Sequence, residues 1–427
     1  MPERPAPRLI AQTREIDPIE DLLAFTAPDA PMAWLRRGDG MVGLGAALRL
    51  VVRGREETVR ADRLAALWRE TTAATEIDDA VRVPGTGLVA FGASTFDEGS
   101  EAESVLVVPT LVVGRRDGRA WITRIGDAAA PQSEAAPAEI PYGPYWSGTL
   151  GPGVLGPDGY QAAVRGGLRA IAEGEVGKVV LARDVIGSVP TGADLRRLAR
   201  TLSTGYPDTW TYAVDGIIGA SPETLVTVHA GTVTARVLAG TAPRGADADA
   251  DTAASLSLAT SPKDLDEHQY AVQSVLRELR PLTSALAAAE QPFTLKLPNV
   301  WHLATDVEGD AANGASALDL VARLHPTAAV AGTPTDAALA VIRRLELFDR
   351  GRYAGPVGWI DAAGDGEWAI ALRCAQFGEA PTRAYTPVGD TIPVVAHAGA
   401  GIVAGSDPES ELLETRVKFR PIVDALA

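Results

Sequence analysis

Two pairs of acidic residues, Asp264 with Glu267 and Glu411 with Glu414, stand three positions apart, the spacing that puts both side chains on one face of a helix. If the two faces meet, they make a site of hard oxygen donors. Clustered carboxylates repel one another, and a divalent cation relieves the repulsion, Mg2+ above all where few protein ligands leave room for water and substrate oxygens. Each pair alone has a plainer explanation, an acidic helix start that complements the dipole or a solvated face.

Lys178 opens the apolar run Lys-Val-Val-Leu-Ala, where strand alternation would turn it toward an interior or a cleft. A lysine held away from water can give up its proton and serve as a general base; the alternative is a strand-edge lysine kept for solubility. Glu223, in Ala-Ser-Pro-Glu-Thr-Leu, is a general acid if desolvated and a turn residue otherwise. His302 and His325 lie in apolar surroundings, where a lone histidine is more often a hydrogen-bonded core residue than a metal ligand. The small residues of His397 to Val403 lack the spacing of a dinucleotide fingerprint and instead suit backbone that approaches a ligand closely. Cys374, the single cysteine, excludes an intramolecular disulfide and reads as a small buried apolar side chain.

The formal net charge of -16 sets the average field against nucleic acid and anionic membranes, so an anionic substrate would need locally placed cations or a metal. With 46% hydrophobic and 22% charged residues over 427 positions, the chain has the makings of a large globular core. A signal peptide and a run of about 20 apolar residues are both missing, which points to a cytoplasmic protein. No coiled-coil heptad is evident, and a monomer is the default expectation.

The elements that must position these residues alternate between short strands and amphipathic helices. Up to about Arg124, runs such as Leu88 to Phe91 and Val105 to Val113 read as strands, with a helix over Ala61 to Thr71. A β-rich region over 1–130 is therefore expected to pack on a catalytic core over 150–427, joined by a proline- and alanine-rich linker or loop over 131–149. In the core, a helix is expected over Pro157 to Glu173 and another from Leu265 toward Ala289, ended or kinked by Pro281. The runs Pro356 to Asp361 and Glu367 to Phe377 read as a hairpin, and Val388-Gly389-Asp390 as a further turn. Hairpins outnumber strand-helix-strand crossovers, which predicts the α+β class, with large, mainly antiparallel sheets flanked by helices.

Several segments, in order, resemble the chorismate-utilising enzymes: Gly-Lys-Val-Val-Leu-Ala-Arg (177–183), Ala-Ser-Pro-Glu (220–223), Leu-Ala-Gly-Thr-Ala-Pro-Arg-Gly (238–245) and Lys-Asp-Leu-Asp-Glu-His (263–268). The resemblance continues through Trp-His-Leu-Ala-Thr (301–305), the stretch 324–334, Tyr-Ala-Gly-Pro-Val-Gly-Trp (353–359), Ala-Gly-Ala-Gly-Ile-Val (398–403) and Glu-Leu-Leu-Glu-Thr-Arg-Val-Lys (411–418). It covers roughly 150 to 425, while the N-terminal part matches loosely, in the manner of the menaquinone-type isochorismate synthases.

The resemblance implies Lys178 as the base that activates water and Glu223 as the acid that protonates the departing hydroxyl. It puts Mg2+ on Glu267 and Glu414, with Asp264 and Glu411 behind them through water. It further implies that Arg373, Lys418 and the backbone near Gly399 hold a substrate carboxylate, and that His302, Gly240 and Thr241 line the pocket. Ala239 stands where aminodeoxychorismate synthases carry a nucleophilic lysine, and Lys178 where the ammonia-using members typically lack one, so no glutaminase partner is expected. Salicylate synthases share Lys178 and Glu223 and then eliminate pyruvate; Val330 stands where some synthases carry leucine and leaves that lyase step open. A catalytically silent chorismate-binding protein is a third reading, disfavoured because base, acid and metal carboxylates are all present.

Overall fold

Runs dense in valine, isoleucine and threonine between glycine turns pair into two large sheets, as β-branched side chains favour. The computed structural model describes residues 8–54, 59–129, 137–296, 300–378 and 390–427, and of Thr241, Lys263, Glu267 and Val300 the backbone alone. The expected turn at Val388-Gly389-Asp390 lies largely outside the described residues.

The first sheet has thirteen strands. Thr149–Pro152, Lys178–Pro190, Thr391–Ile402, Cys374–Phe377, Ile217–Ser221 and Trp210–Val214 continue in that order into Met32–Arg36, Asp39–Leu44, Leu111–Arg116, Arg119–Asp127, Leu9–Ile16 and Glu76–Asp79, with Gly332–Thr333 beside Lys178–Pro190. The second has ten, with Thr283–Ala288, Val300–Ala311, Thr232–Pro243, Thr224–His229, Gly366–Ile370, Pro356–Asp361, Val89–Ala93, Ser104–Val108 and Leu48–Val52 in order, and Phe293–Lys296 also on Val300–Ala311. Both sheets mix strands from before residue 130 with strands from after 149. Among the described residues the one parallel pairing joins Leu9–Ile16 to Glu76–Asp79. The fold is α+β with antiparallel sheets, as the hairpin-rich sequence predicts.

Two expected strands prove to be pairs of strands, because the chain changes sheet inside each. The run 105–113 breaks at Pro109, which has no amide hydrogen to give a ladder, and its halves Ser104–Val108 and Leu111–Arg116 lie in different sheets. The run 367–377 breaks between Ile370 and Cys374, where Arg373 takes φ 50. Alongside it, Ile217–Ser221 pairs with Cys374–Phe377 in the first sheet, and Thr224–His229 with Gly366–Ile370 in the second. The chain thus crosses twice, side by side, at Pro222–Glu223 and at Ala371–Arg373. Ser221 Oγ donates to the Ile370 carbonyl at 2.6 Å, Ile370 N to the Glu223 carbonyl at 3.0 Å and Ala220 N to the Arg373 carbonyl at 3.1 Å. This double crossing is the seam on which the site below is built.

The helices are α1 (Arg60–Ala73), α2 (Pro157–Ala172), α3 (Arg196–Gly205), α4 (Ala248–Thr260), α5 (Pro262–Leu279), α6 (Ala317–Leu324), α7 (Thr335–Leu345) and α8 (Pro408–Leu426). The two that carry the acidic pairs start alike. Ser261 caps α5 by accepting from Asp264 N, Asp407 caps α8 by accepting from Ser410 N, and proline follows each cap, where its missing donor costs nothing. Helix α5 ends at Leu279, ahead of Pro281. The expected continuation to Ala289 is instead the strand Thr283–Ala288, because pairing with Val300–Ala311 satisfies its backbone. No described helix is long and apolar enough to cross a membrane.

The main core, with Trp34, Phe91, Tyr212, Trp359 and Trp368, fills the space between the sheets. A second cluster lies under α3 and α8, with Leu198, Leu202, Phe419 and Ile422. Glu367 ties the two sheets across the main core. It is 3% exposed and accepts from Trp34 Nε1 (2.7 Å), Trp359 Nε1 (3.0 Å) and Arg116 Nη2 (2.9 Å), with His229 Nε2 at 2.7 Å. Burial opposes ionisation, but the bond with His229 and the charge of Arg116 outweigh it and bring the carboxyl down to about 2.

Candidate active site

Lys178 begins the strand Lys178–Pro190, half-buried and opposite Thr333. A β-carbon at Gly401, on the neighbouring strand, would stand 3.0 Å from Lys178 Cε, so the glycine makes the lane along which the lysine stem lies. Behind it a buried ion pair grips the same strand. Arg350 Nη2 donates to Glu346 Oε1 at 2.6 Å and to the Val180 carbonyl at 2.8 Å, Nη1 donates to the Val330 carbonyl at 3.1 Å, and Glu346 accepts from Ala182 N at 2.7 Å. The two side chains are 3% and 2% exposed. Such a pair is costly to bury and holds its place only when fully hydrogen-bonded, and here two of those bonds, at Val180 and Ala182, run to the strand that carries Lys178.

Glu223 sits on the seam, half-buried. Burial pushes its carboxyl up, and Lys178, Lys418 and Arg373 offset part of that rise. Arg373 sits on the neighbouring, antiparallel crossing. Burial lowers its guanidinium, while Tyr353, Glu414 and Glu223 favour the charge. Tyr353 is a site residue that sequence reasoning missed: it is 7% exposed, stacked on His397 at 5.1 Å, and within electrostatic reach of both Arg350 and Arg373. Its sequence signals are its place at the head of the segment 353–359 and an aromatic residue leading into the glycine and proline of a strand start.

Helix α8 closes one side. Lys418 Nζ donates to the Gly399 carbonyl at 2.7 Å and pairs with Glu414 Oε1 at 2.6 Å. Burial lowers the pKa of this ammonium and Glu414 opposes that. Burial raises the carboxyl of Glu411; a bond from Ser406 counters this and the charge of Glu414 adds to it. From the second sheet comes His302, its Nδ1 3.4 Å from the Gly240 carbonyl and its pKa lowered by burial and by Lys418 and Lys178. Gly240 has φ 76, at an irregularity in the ladder between Ala239 and Thr241. A β-carbon there would lie 3.3 Å from Asp264 Cβ, so this glycine lets α5 approach the strand.

Lys178, Glu223, His302, Arg373, Lys418 and Glu414 thus form one electrostatic cluster, with Gly399 and Gly240 in its walls and Asp264 beside Gly240. The side chains of Glu267 and Thr241 lie outside the described residues. Among the described residues no group of three or more His, Cys, Asp or Glu is assembled for a metal. The donors nevertheless suit a hard divalent cation: they are all carboxylates, and Glu411, raised first by burial and further by the charge of Glu414, is a carboxyl whose ionised form such a cation favours. A cavity of about 240 Å³ lined by Leu22, Arg37, Arg200 and Thr211 shares no residue with this cluster.

Chemically, the arrangement offers the side chain of Lys178 and a carboxyl, that of Glu223, held toward its neutral form, with the cations Arg373 and Lys418 around them. It can move one proton onto and another off an anionic ligand.

The chorismate binding enzyme family matches residues 149–427. The chain is 36% identical to the isochorismate synthase DhbC of Bacillus subtilis over 358 residues, 76% of this chain and 86% of that protein. It is 33% identical to the isochorismate synthase MenF of the same organism over 276 residues, 64% of this chain and 56% of that protein. The solved structure of MenF, the menaquinone-specific isochorismate synthase from Escherichia coli, shares the fold with a TM-score of 0.76 at 24% identity, covering 99% of this chain and 95% of that one.

Proposed function

Because the chain belongs to the chorismate-binding enzyme family, we propose that it is an isochorismate synthase, which isomerises chorismate by adding water at ring C2 and losing the C4 hydroxyl. The observation that carries this reading is that Lys178 lies within electrostatic reach of Glu223, the acid raised by burial. Lys178 takes a proton from water as oxygen bonds to C2; the ring double bonds shift; Glu223 gives its proton to the C4 hydroxyl, which leaves as water. One proton is taken and one given, so the net change is an isomerisation that needs neither a redox partner nor ammonia. Arg373, Lys418 and the backbone near Gly399 hold the enolpyruvyl carboxylate, in the charge-assisted geometry that overcomes an acidic surface. His302, with burial favouring its neutral ring, sits near the C4 oxygen with Gly240 and Thr241.

Mg2+ would be held by Glu267 and Glu414, with Asp264 and Glu411 behind them through water, and would supply charge neutralisation for the ring carboxylate. We assign the product to menaquinone synthesis, with siderophore synthesis as the alternative; the resemblance of the chain to synthases named MenF supports the first.

The test is a proton NMR time course of the protein with chorismate, with and without Mg2+, and with ammonium in a parallel tube. Metal-dependent isochorismate alongside residual chorismate is the expected outcome. Salicylate and pyruvate would move the assignment to a salicylate synthase, and an ammonium-dependent product would reject the water-activating role of Lys178.

A further inference from the structure

The residue directly after each inner metal carboxylate is a buried polar one. On α5, Glu267 is followed by His268, 2% exposed; on α8, Glu414 is followed by Thr415, 0% exposed. One residue is about 100° of helix rotation, so a side chain there points to the sheet when its predecessor faces the cleft.

Both make directional bonds to the strands beneath. His268 Nδ1 is 3.1 Å from the Ala239 carbonyl, and Nε2 is 2.7 Å from Thr305 Oγ1. A carbonyl only accepts, which assigns the hydrogen to Nδ1 and makes Nε2 the acceptor from the Thr305 hydroxyl. The acceptor Ala239 adjoins Gly240, where α5 comes closest. Thr415 Oγ1 accepts from Arg183 Nε at 2.8 Å and donates to the Leu412 carbonyl at 2.7 Å. Arg183 is itself 5% exposed, with its guanidinium 4.9 Å over the Phe419 ring. It stands on the strand of Lys178, five residues further along.

Apolar packing is non-directional and leaves a helix some freedom to roll, whereas hydrogen bonds weaken steeply off their axis. A roll of about 20° moves an atom about 6 Å from the helix axis by about 2 Å, well beyond the roughly 0.5 Å that a preorganised site tolerates. We propose that His268, and Thr415 with Arg183, are positioning residues that fix the roll of α5 on the second sheet and of α8 on the first, so that the acidic pairs face one another across the cleft and can share one divalent cation. This rests on the metal-dependent reading above and adds to it the residues that set the metal affinity without touching the metal.

The experiment measures Mn2+ binding to the substrate-free protein by electron paramagnetic resonance, together with the Mg2+ concentration for half-maximal isomerisation. Thr415→Val keeps the shape and removes the hydroxyl; His268→Leu does the equivalent on α5. Each is expected to weaken Mn2+ binding about tenfold, the scale of one lost hydrogen bond, and to raise the Mg2+ requirement in step. Thr415→Ser should restore both constants, and kcat at saturating Mg2+ should stay within about twofold for all three. If the Val and Leu variants lower the unfolding midpoint yet bind Mn2+ as the parent does, they fill space only and the proposal is overturned. A parent protein that binds no Mn2+ and turns over chorismate without metal would sink the metal reading, a result separable from the first because it needs no variant.

Discussion

The two walls of the cleft are built to different standards. On the first sheet, the strand that carries Lys178 is buried from Val179 to Asp184 and gripped by the Arg350–Glu346 pair. On the second sheet, α4 buries only Asp251 and Leu258, and Leu256 and Tyr270 stand 61% and 60% exposed. The acid and base occupy the over-determined wall and the seam. One acidic pair, on α5, belongs to the lightly packed wall. Proton transfer demands fixed distances, while a site that admits substrate and metal gains from a wall with few apolar contacts to break.

The strongest way to break this contrast is at Lys178. Lys178→Ala is expected to lower kcat by about 10² to 10⁴-fold while leaving chorismate binding within a few-fold, read by steady-state kinetics and calorimetric binding. Full turnover would remove the base from that wall. Next comes its support. Arg350→Met strands the Glu346 charge and should cost about 3–5 kcal/mol in urea unfolding, and the double variant with Glu346→Gln should recover much of that loss. A loss below 1 kcal/mol would mean that the pair does not anchor the strand.

How far this was legible beforehand depended on whether a signal was local. The i, i+3 carboxylates of α5 and α8, the strand after Gly177 and the antiparallel character all follow from neighbouring residues. The seam does not. Glu223 and Arg373 each lie between two apolar runs, and nothing near them says that the flanking strands belong to different sheets; in the 367–377 run the crossing reads as uninterrupted strand. The strand Thr283–Ala288 was hidden for a related reason, since its alanines and leucine fit a helix and only the distant partner Val300–Ala311 decides. Glu346 and Arg350 drew no notice, and Tyr353 only as the first residue of the segment 353–359, because their value lies in what they touch: carbonyls and rings far away in sequence.

A third test bears on what joins the two sheets. Glu367 has a folded pKa of about 2, below the value of about 4.3 for a free glutamate. A depressed carboxyl contributes stability that is complete above the unfolded pKa and is lost as pH falls through the folded one. Between about pH 5 and about pH 1 the protein should therefore lose about 3 kcal/mol from this group, seen as a falling urea midpoint. Glu367→Gln should be less stable at pH 7 and flatter across the acid range. An equally steep acid loss in that variant would place the linkage elsewhere.

The smallest effect tests the lightly packed wall itself. Leu256→Ser on α4 changes a side chain that is 61% exposed, and should shift unfolding by no more than about 0.5 kcal/mol. Leu258→Ala, two residues on and 3% exposed, should cost about 2 kcal/mol or more, because it leaves a cavity against the strands beneath. Native-state hydrogen exchange supplies the matching dynamic readout. The amide of Ala182, bonded to the buried carboxylate of Glu346, should exchange only with global unfolding, and the amides of α4 at a lower free energy. Equal protection in both places would show that the two walls open as one unit, and the division of labour between a fixed acid–base wall and a yielding α4 would fall with it.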